Sequence, residues 1–435
     1  MELFNIPKGT RDFSFIEINK RNYLIKTIRE KFEIFGFYPI ETPSFENIST
    51  LIGKYGEESD YLIFKLLNSG NVLKKISNKA LRYDLTVPFV RYVRMHKNEI
   101  VFPFKRYQIQ PVWRADNPQK GRFREFYQCD ADIISYSWSL WEEIELIQLC
   151  DEIFTKLNFP IIIYINHRDI LGGLVEISGI KNNLWKDFTT SLDKWNKIGK
   201  DLVKQEMLCK GISSKSFNKI AFFFEMKENF LKKKRHLNIA FKYSKKGQKG
   251  IKDLNFIYKN INKISLKNTK LEWNISLARG INYYTGTILE IVPFNNSISI
   301  GGGGRYDKLA NLFGMKNISG VGVSLGLDRI YLAMEKENLL QSIPSKVLFI
   351  NFGDEEVIYA YKMIKFLRKR GISTQLYPNA VKIEKQFKYA NDNNIPFTII
   401  IGKNEIKKNK IRIKNLKNRI EKEYDNIYDV VNQLI

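Results

Sequence analysis

The stretch RFREFYQCDADI, Arg122 to Ile133, limits the possible folds more than any other part of the chain. Phe123, Tyr127, Cys129, Ala131 and Ile133 fall on one side of it, and Arg124, Phe126, Gln128, Asp130 and Asp132 on the other. A period of two is the mark of a strand. One face suits a core, while the other forms a polar floor. KRYQIQPVWRA, from Lys105 to Ala115, reads as a second strand, and DNPQKG, Asp116 to Gly121, as the long loop of an antiparallel pair.

The rest of the chain divides by pattern. Ile18, Ile25, Ile28, Phe32 and Phe35 recur at helical spacing and predict a helix over Glu17–Phe35, which Gly36 stops. FYPIETP follows as a short strand ending in proline, suited to a sheet edge or an interface. A lysine-rich region from about Asn166 to Leu271 carries weak helical patterns and the basic run LKKKRHLNIAFKYSKKGQKG; it reads as an inserted domain whose charges are solvated surface. Three strand-like segments come next, the last of which, ISGVGVSLGLDRIYLAMEKE, runs from strand into helix, where free N–H groups favour an anion. After Pro344, strands and helices alternate with short joins, predicting a separate small α/β domain.

Composition narrows the chemistry. At 435 residues the chain is expected to hold two or more domains. A net charge of +25 favours polyanionic partners, although the abundance of Lys, Ile, Asn, Phe and Tyr also fits AT-rich coding. Three scattered cysteines argue against a disulfide framework or a cysteine-based zinc site and for a reducing compartment. No apolar run suggests a signal peptide or a membrane span, so the expectation is a cytoplasmic protein without membrane contact. His96, His167 and His236 form no HxxH or HExxH pair, which leaves arginines, carboxylates, amides and backbone groups to carry the chemistry.

Arg114, Arg279, Arg305 and Arg329 each stand at or beside a strand end or turn. Converging guanidinium groups suit a triphosphate and its charge-rich transition state. GGGG, Gly301–Gly304, lacks the Lys-Ser/Thr of a P-loop and reads as a place of close backbone approach.

Read together, LRYDLTVPFVRY, RADNPQKGRFREFYQCDAD, RGINYYTG, GGGRYDKL and GVGVSLGLDR resemble, in order, the signatures of the histidyl-tRNA synthetases, a class II aminoacyl-tRNA synthetase family. The resemblance implies an α+β protein: an antiparallel-sheet catalytic domain with flanking helices, a helical insertion domain and a small C-terminal α/β anticodon-binding domain. The implied boundaries are 1–165 and 271–340 for the catalytic domain, 166–270 for the insertion and 345–435 for the C-terminal domain. ATP with Mg²⁺, L-histidine and tRNA(His) are the implied ligands, no tightly bound structural metal is expected, and the resemblance of the first helix and FYPIETP to motif 1 implies a homodimer. By the same resemblance Arg114 and Arg279 act catalytically at the α-phosphate, and Arg122 and Arg329 join them in binding ATP. Asp84, Thr86 and Gln128 would hold the α-amino group; Asp132 and Tyr284 would read the imidazole, with Tyr283 beside them. Departures from the family pattern are Ile281 and Asn282, where Leu and Asp are usual, and Gln110, where glycine is common. Two competing readings are a non-catalytic relative that binds histidine to regulate a biosynthetic enzyme, and a generic RNA-binding protein. The ATP arginines and the C-terminal domain favour the ligase over the first. The Asp84, Gln128, Asp132 and Tyr284 set favours it over the second.

Overall fold

The structure, a computed structural model, describes residues 5–68, 76–278, 283–295, 298–340 and 346–434. Its contacts separate two compact units, Met1–Asp12 with Arg21–Leu340, and Phe13–Lys20 with Gln341–Ile435.

The larger unit is organised by a sheet whose strands are β1 (Tyr38–Pro39), β2 (Phe104–Trp113), β3 (Glu125–Ser135), β4 (Ile161–His167), β5 (Thr269–Trp273), β6 (Thr287–Pro293), β7 (Gly301–Arg305) and β8 (Ser319–Gly326). They lie in the order β1-β2-β3-β8-β7-β6-β4-β5 and pair antiparallel throughout the middle, with parallel pairs at both edges. The proline-ended segment therefore sits at an edge, and only Tyr38 and Pro39 of it are strand. Alternation in β3 is as the sequence implies. Cys129, Ala131 and Ile133 enter a core shared with Leu24, Ile28 and Phe32 of helix α1 (Phe15–Ile34), Ile144 and Ile147 of α2 (Leu140–Lys156), and Ile330 and Met334 of α3 (Leu327–Lys336). Ile18, expected on that buried face, is exposed, and Leu24 takes part instead.

Helices occupy the chain between Arg168 and Ile264. Asn166 and His167 are still strand, paired with Ile288 and Thr287. The helix Lys245–Ile264 packs on Arg168–Ser178 at three glycines: a Cβ on Gly173 would fall 2.7 Å from Gly247 Cα, and one on Gly250 would fall 2.9 Å from Ile170 N. In the smaller unit, strands Thr374–Leu376, Val347–Phe349 and Phe397–Ile400 are parallel, and Ile411–Asn415 and Glu421–Tyr424 extend the sheet antiparallel. The result is the mixed α/β arrangement read from the sequence, enlarged by a terminal hairpin and helix.

Candidate active site

Strand register builds the floor of the site. Arg106, Gln108 and Gln110 of β2 stand opposite Asp132, Asp130 and Gln128 of β3, whose other neighbours on β8 are Gly322, Ser324 and Gly326. Residues facing one another across a ladder share a side of the sheet, so these polar groups collect on one surface. Above it opens a cleft with an accessible volume of about 160 Å³. Its lining brings together Asp84, Thr86, Arg114, Arg122, Gln128, Asp132, Tyr283, Tyr284 and Arg329, which is every site residue singled out from the sequence except Arg279 and Arg305. Arg279, like Ile281 and Asn282, lies outside the described residues.

At one end of the floor the buried Asp84 is oriented by three donors. Tyr55 Oη and the Val87 amide donate to its Oδ1 at 2.8 and 3.1 Å, and Tyr283 Oη donates to Oδ2 at 3.3 Å. Burial still outweighs these bonds and raises its pKa above the usual carboxylate value. At the other end Asp132 Oδ1 accepts from Tyr306 Oη at 2.5 Å, and its Oδ2 lies 2.8 Å from Arg106 Nη2 in an ion pair not aligned as a hydrogen bond. Burial raises Asp132 as well, against the opposing pull of Arg106. Between the two ends, Gln128 Nε2 donates to Ser324 Oγ at 2.6 Å while its Oε1 receives no hydrogen bond from the described residues. Tyr283 and Tyr284 meet edge to face, with ring centroids 5.1 Å apart.

Glycines make this floor possible. A Cβ on Gly322 would lie 2.0 Å from Asp132 Oδ1, and one on Gly303 would lie 2.1 Å from the Gly322 carbonyl oxygen. GGGG is thus a place of close approach, as its sequence implies.

Arginines gather at the mouth. Arg114 donates through Nε to the Tyr83 carbonyl at 3.0 Å, its guanidinium lying 4.3 Å from the Tyr83 ring centre and 5.2 Å from that of Phe126. Arg122 stands 3.5 Å from Asp116 and is about half exposed. Arg329, in the first turn of α3, is held by the carbonyls of Gly121 and Ser299 at 3.0 and 2.8 Å. Three guanidinium groups at this end of the cleft, two of them oriented by carbonyls, favour a polyanion there.

Arg305 does not join them. It is buried behind the sheet, where Nε and Nη2 donate to Glu143 at 2.7 and 2.6 Å, Nη2 also donates to Glu142 at 2.9 Å, and Nη1 donates to Ser319 Oγ at 2.6 Å. Its neighbours satisfy it, so the expectation that it serves a triphosphate gives way to a structural role. Gln110, one of the departures, also has a local purpose: its Oε1 accepts from Arg82 Nη1 at 2.9 Å and from Gln108 Nε2 at 2.5 Å. Arg82 is fully buried and would lose a side-chain acceptor if glycine stood there. Beyond Gln110 the ladder continues intact to Trp113, opposite Glu125, so the approach to Arg114 is undisturbed.

The family profile of the histidyl-tRNA synthetases matches residues 9–330, and that of the anticodon-binding domain matches residues 346–434. The chain belongs to the histidyl-tRNA synthetase family. A histidine–tRNA ligase of Christiangramia forsetii is 52% identical over 436 residues, covering 95% of each chain, and one from Flavobacterium johnsoniae is 51% identical with the same coverage. The crystal structure of a Nostoc histidyl-tRNA synthetase superposes with a TM-score of 0.86 at 30% identity over 99% of both chains. A Bacillus halodurans structure titled as an ATP phosphoribosyltransferase regulatory subunit/histidyl-tRNA synthetase shares the fold at TM-score 0.74 and 17% identity, covering 92% of this chain and 99% of its own.

In this synthetase-family chain, sequence reasoning missed Arg106, Tyr55 and Tyr306. Arg106 had a signal in the alternation of KRYQIQ, which puts Arg106, Gln108 and Gln110 on one face. The two tyrosines had none, because they reach Asp84 and Asp132 from 29 and 174 residues away.

Proposed function

We infer that the chain activates L-histidine with ATP and transfers the histidyl group to the 3′ end of tRNA(His). The observation that carries this reading is the polarity of one cleft, with carboxylates and amides along its floor and arginines at its mouth. Histidine's carboxylate, already ionised at neutral pH, attacks the α-phosphorus of ATP. A new bond joins the carboxylate oxygen to phosphorus, the bond to the β-phosphate bridging oxygen breaks, and pyrophosphate leaves. A hydroxyl of the terminal ribose of tRNA then takes the acyl group, and AMP departs. The first step demands positioning and charge neutralisation rather than a strong base.

Asp84, Thr86 and Gln128 are assigned to the α-ammonium group, and Asp132, Tyr283 and Tyr284 to the imidazole end. Arg114 and Arg279 are assigned to the α-phosphate as catalytic groups, with Arg122 and Arg329 on the remaining phosphates. Mg²⁺ would arrive with ATP, held chiefly by phosphate oxygens and water. Among the described residues no group of three or more His, Cys, Asp or Glu side chains is arranged to hold a metal ion, and no step here runs through one. Fixed polar partners for the imidazole favour discrimination without editing.

The C-terminal domain supports tRNA binding, and the +25 charge suits phosphate contacts. A homodimer and a cytoplasmic setting complete the reading. Exposed Ile34 and Tyr38, at the end of α1 and on the edge strand, favour a second copy, and free Cys129, Cys150 and Cys209 favour a reducing compartment. No helix among the described residues is long and apolar enough to cross a membrane.

Amino-acid-dependent ATP–pyrophosphate exchange, run with all twenty amino acids, tests the core of the reading. Exchange with histidine alone is expected. Binding of histidine without any exchange would transfer the chain to the regulatory class. Arg279→Ala should lower exchange by on the order of 10²–10³-fold while the melting temperature stays unchanged; near-normal turnover would remove Arg279 from catalysis.

A further inference from the structure

Asp130 sits at the middle of the floor, is 1% exposed and lines the cleft, yet neither of its carboxylate oxygens receives a hydrogen bond from the described residues. Its neighbours on the same strand and across the cleft are treated differently, since Asp84 and Asp132 are each held by tyrosine hydroxyls and a further donor or cation. Ser324, facing it on β8, favours its charged form but falls outside hydrogen-bonding geometry. Buried carboxylates without donors are costly, and a native fold retains one where a partner arrives from outside.

We propose that Asp130 is a further histidine-binding residue, a carboxylate that receives N–H donors of the bound amino acid between the Asp84–Gln128 end and the Asp132–Tyr306 end of the cleft. The proposal rests on the histidine-activating reading and adds to it a group that the motif comparison did not assign. Charge balance points the same way. Asp130 and Asp132 both feel the buried guanidinium of Arg106, which is ion-paired with Asp132, so an entering α-ammonium supplies a cation beside Asp130. A carboxylate with free lone pairs next to that site is the group that gains most from its arrival.

A pH dependence follows. The groups facing Asp130 are Arg106 and Gln108 on β2, Asp132 on its own strand, Ser324 on β8, and Asp84, Tyr283 and Tyr306 across the cleft. Burial and, secondarily, the charge of Asp132 push Asp130 up to about 7 against the lowering pull of Arg106. In the empty cleft it is partly protonated at neutral pH. An ammonium beside it expels that proton, so histidine binding releases protons and tightens as pH rises through about 7.

The test uses the full chain, with wild type and Asp130→Asn compared in histidine-dependent exchange and in calorimetry with L-histidine in two buffers of different ionisation enthalpy. Asp130→Asn is expected to raise the histidine KM on the order of 10-fold, to leave the ATP KM unchanged and to remove the proton release seen with wild type. An unchanged histidine KM with undiminished proton release in that variant would overturn the proposal and leave the ligase reading standing. A wild type that binds no histidine and shows no histidine-dependent exchange would overturn both. Should the asparagine variant fail to fold, wild-type calorimetry alone decides: histidine binding without linked proton release near pH 7 refutes the role.

Discussion

Two buried ionic clusters lie on the same sheet and are built to opposite ends. Around Arg305 all three guanidinium nitrogens donate, to Glu142, Glu143, Ser319 and the Ser139 carbonyl, so no nitrogen is left without an acceptor. Around Arg106 one guanidinium serves Asp132 and Asp130, and Asp130 and Gln128 keep unused acceptors. A closed cluster holds strands and helix together, whereas an open one stores binding capacity at a cost in stability.

The sharpest way to break this contrast is to remove the closed cluster's cation. Arg305→Ala should destabilise the protein by about 3–5 kcal/mol, since Glu143 would remain buried and unpaired. Chemical denaturation measures it, and the folded fraction should keep its histidine KM. A stability loss below about 1 kcal/mol would show that the cluster is not structural.

Asp132→Ala probes the open cluster. It should raise the histidine KM by on the order of 10–100-fold with little change for ATP, because a charge-assisted contact to the substrate is lost. A raised ATP KM with unchanged histidine KM would reverse the assigned polarity of the cleft.

A further effect concerns stability alone and separates the clusters by sign. Asp130 has a folded-state pKa of about 7, above the unfolded value, so the native state binds its proton more tightly. Its stabilising contribution is full below about pH 3.9 and is lost as pH rises to about 7. Asp130→Asn should therefore melt higher than wild type at pH 8, with the difference shrinking toward pH 5. A variant that melts lower at pH 8 would mean that the carboxylate supports the fold.

Much of the sheet was legible because strand alternation is local. The two faces of β3 follow from side-chain period alone, and so do the polar floor and the small terminal α/β domain. Arg305 was misread for a complementary reason: its sequence context shows a cation beside a glycine run, whereas Glu142 and Glu143, which take its Nε and Nη2 donors, lie more than 160 residues away in α2. Ile18 shows the same limit at smaller scale: spacing picked out Ile28 and Phe32 correctly, but only packing buries Leu24 beside them and leaves Ile18 exposed.

What the sequence determined by itself was the set of groups and their local order: a strand with one polar face, glycines where backbones must approach, arginines at element ends and motifs that resemble one family. Tertiary structure alone decided which charges are already neutralised. Coulomb attraction and desolvation depend on distance and burial in space, so Arg305 became a structural tie, Arg106 became the partner of Asp132, and Asp130 was left buried with open lone pairs facing the cleft.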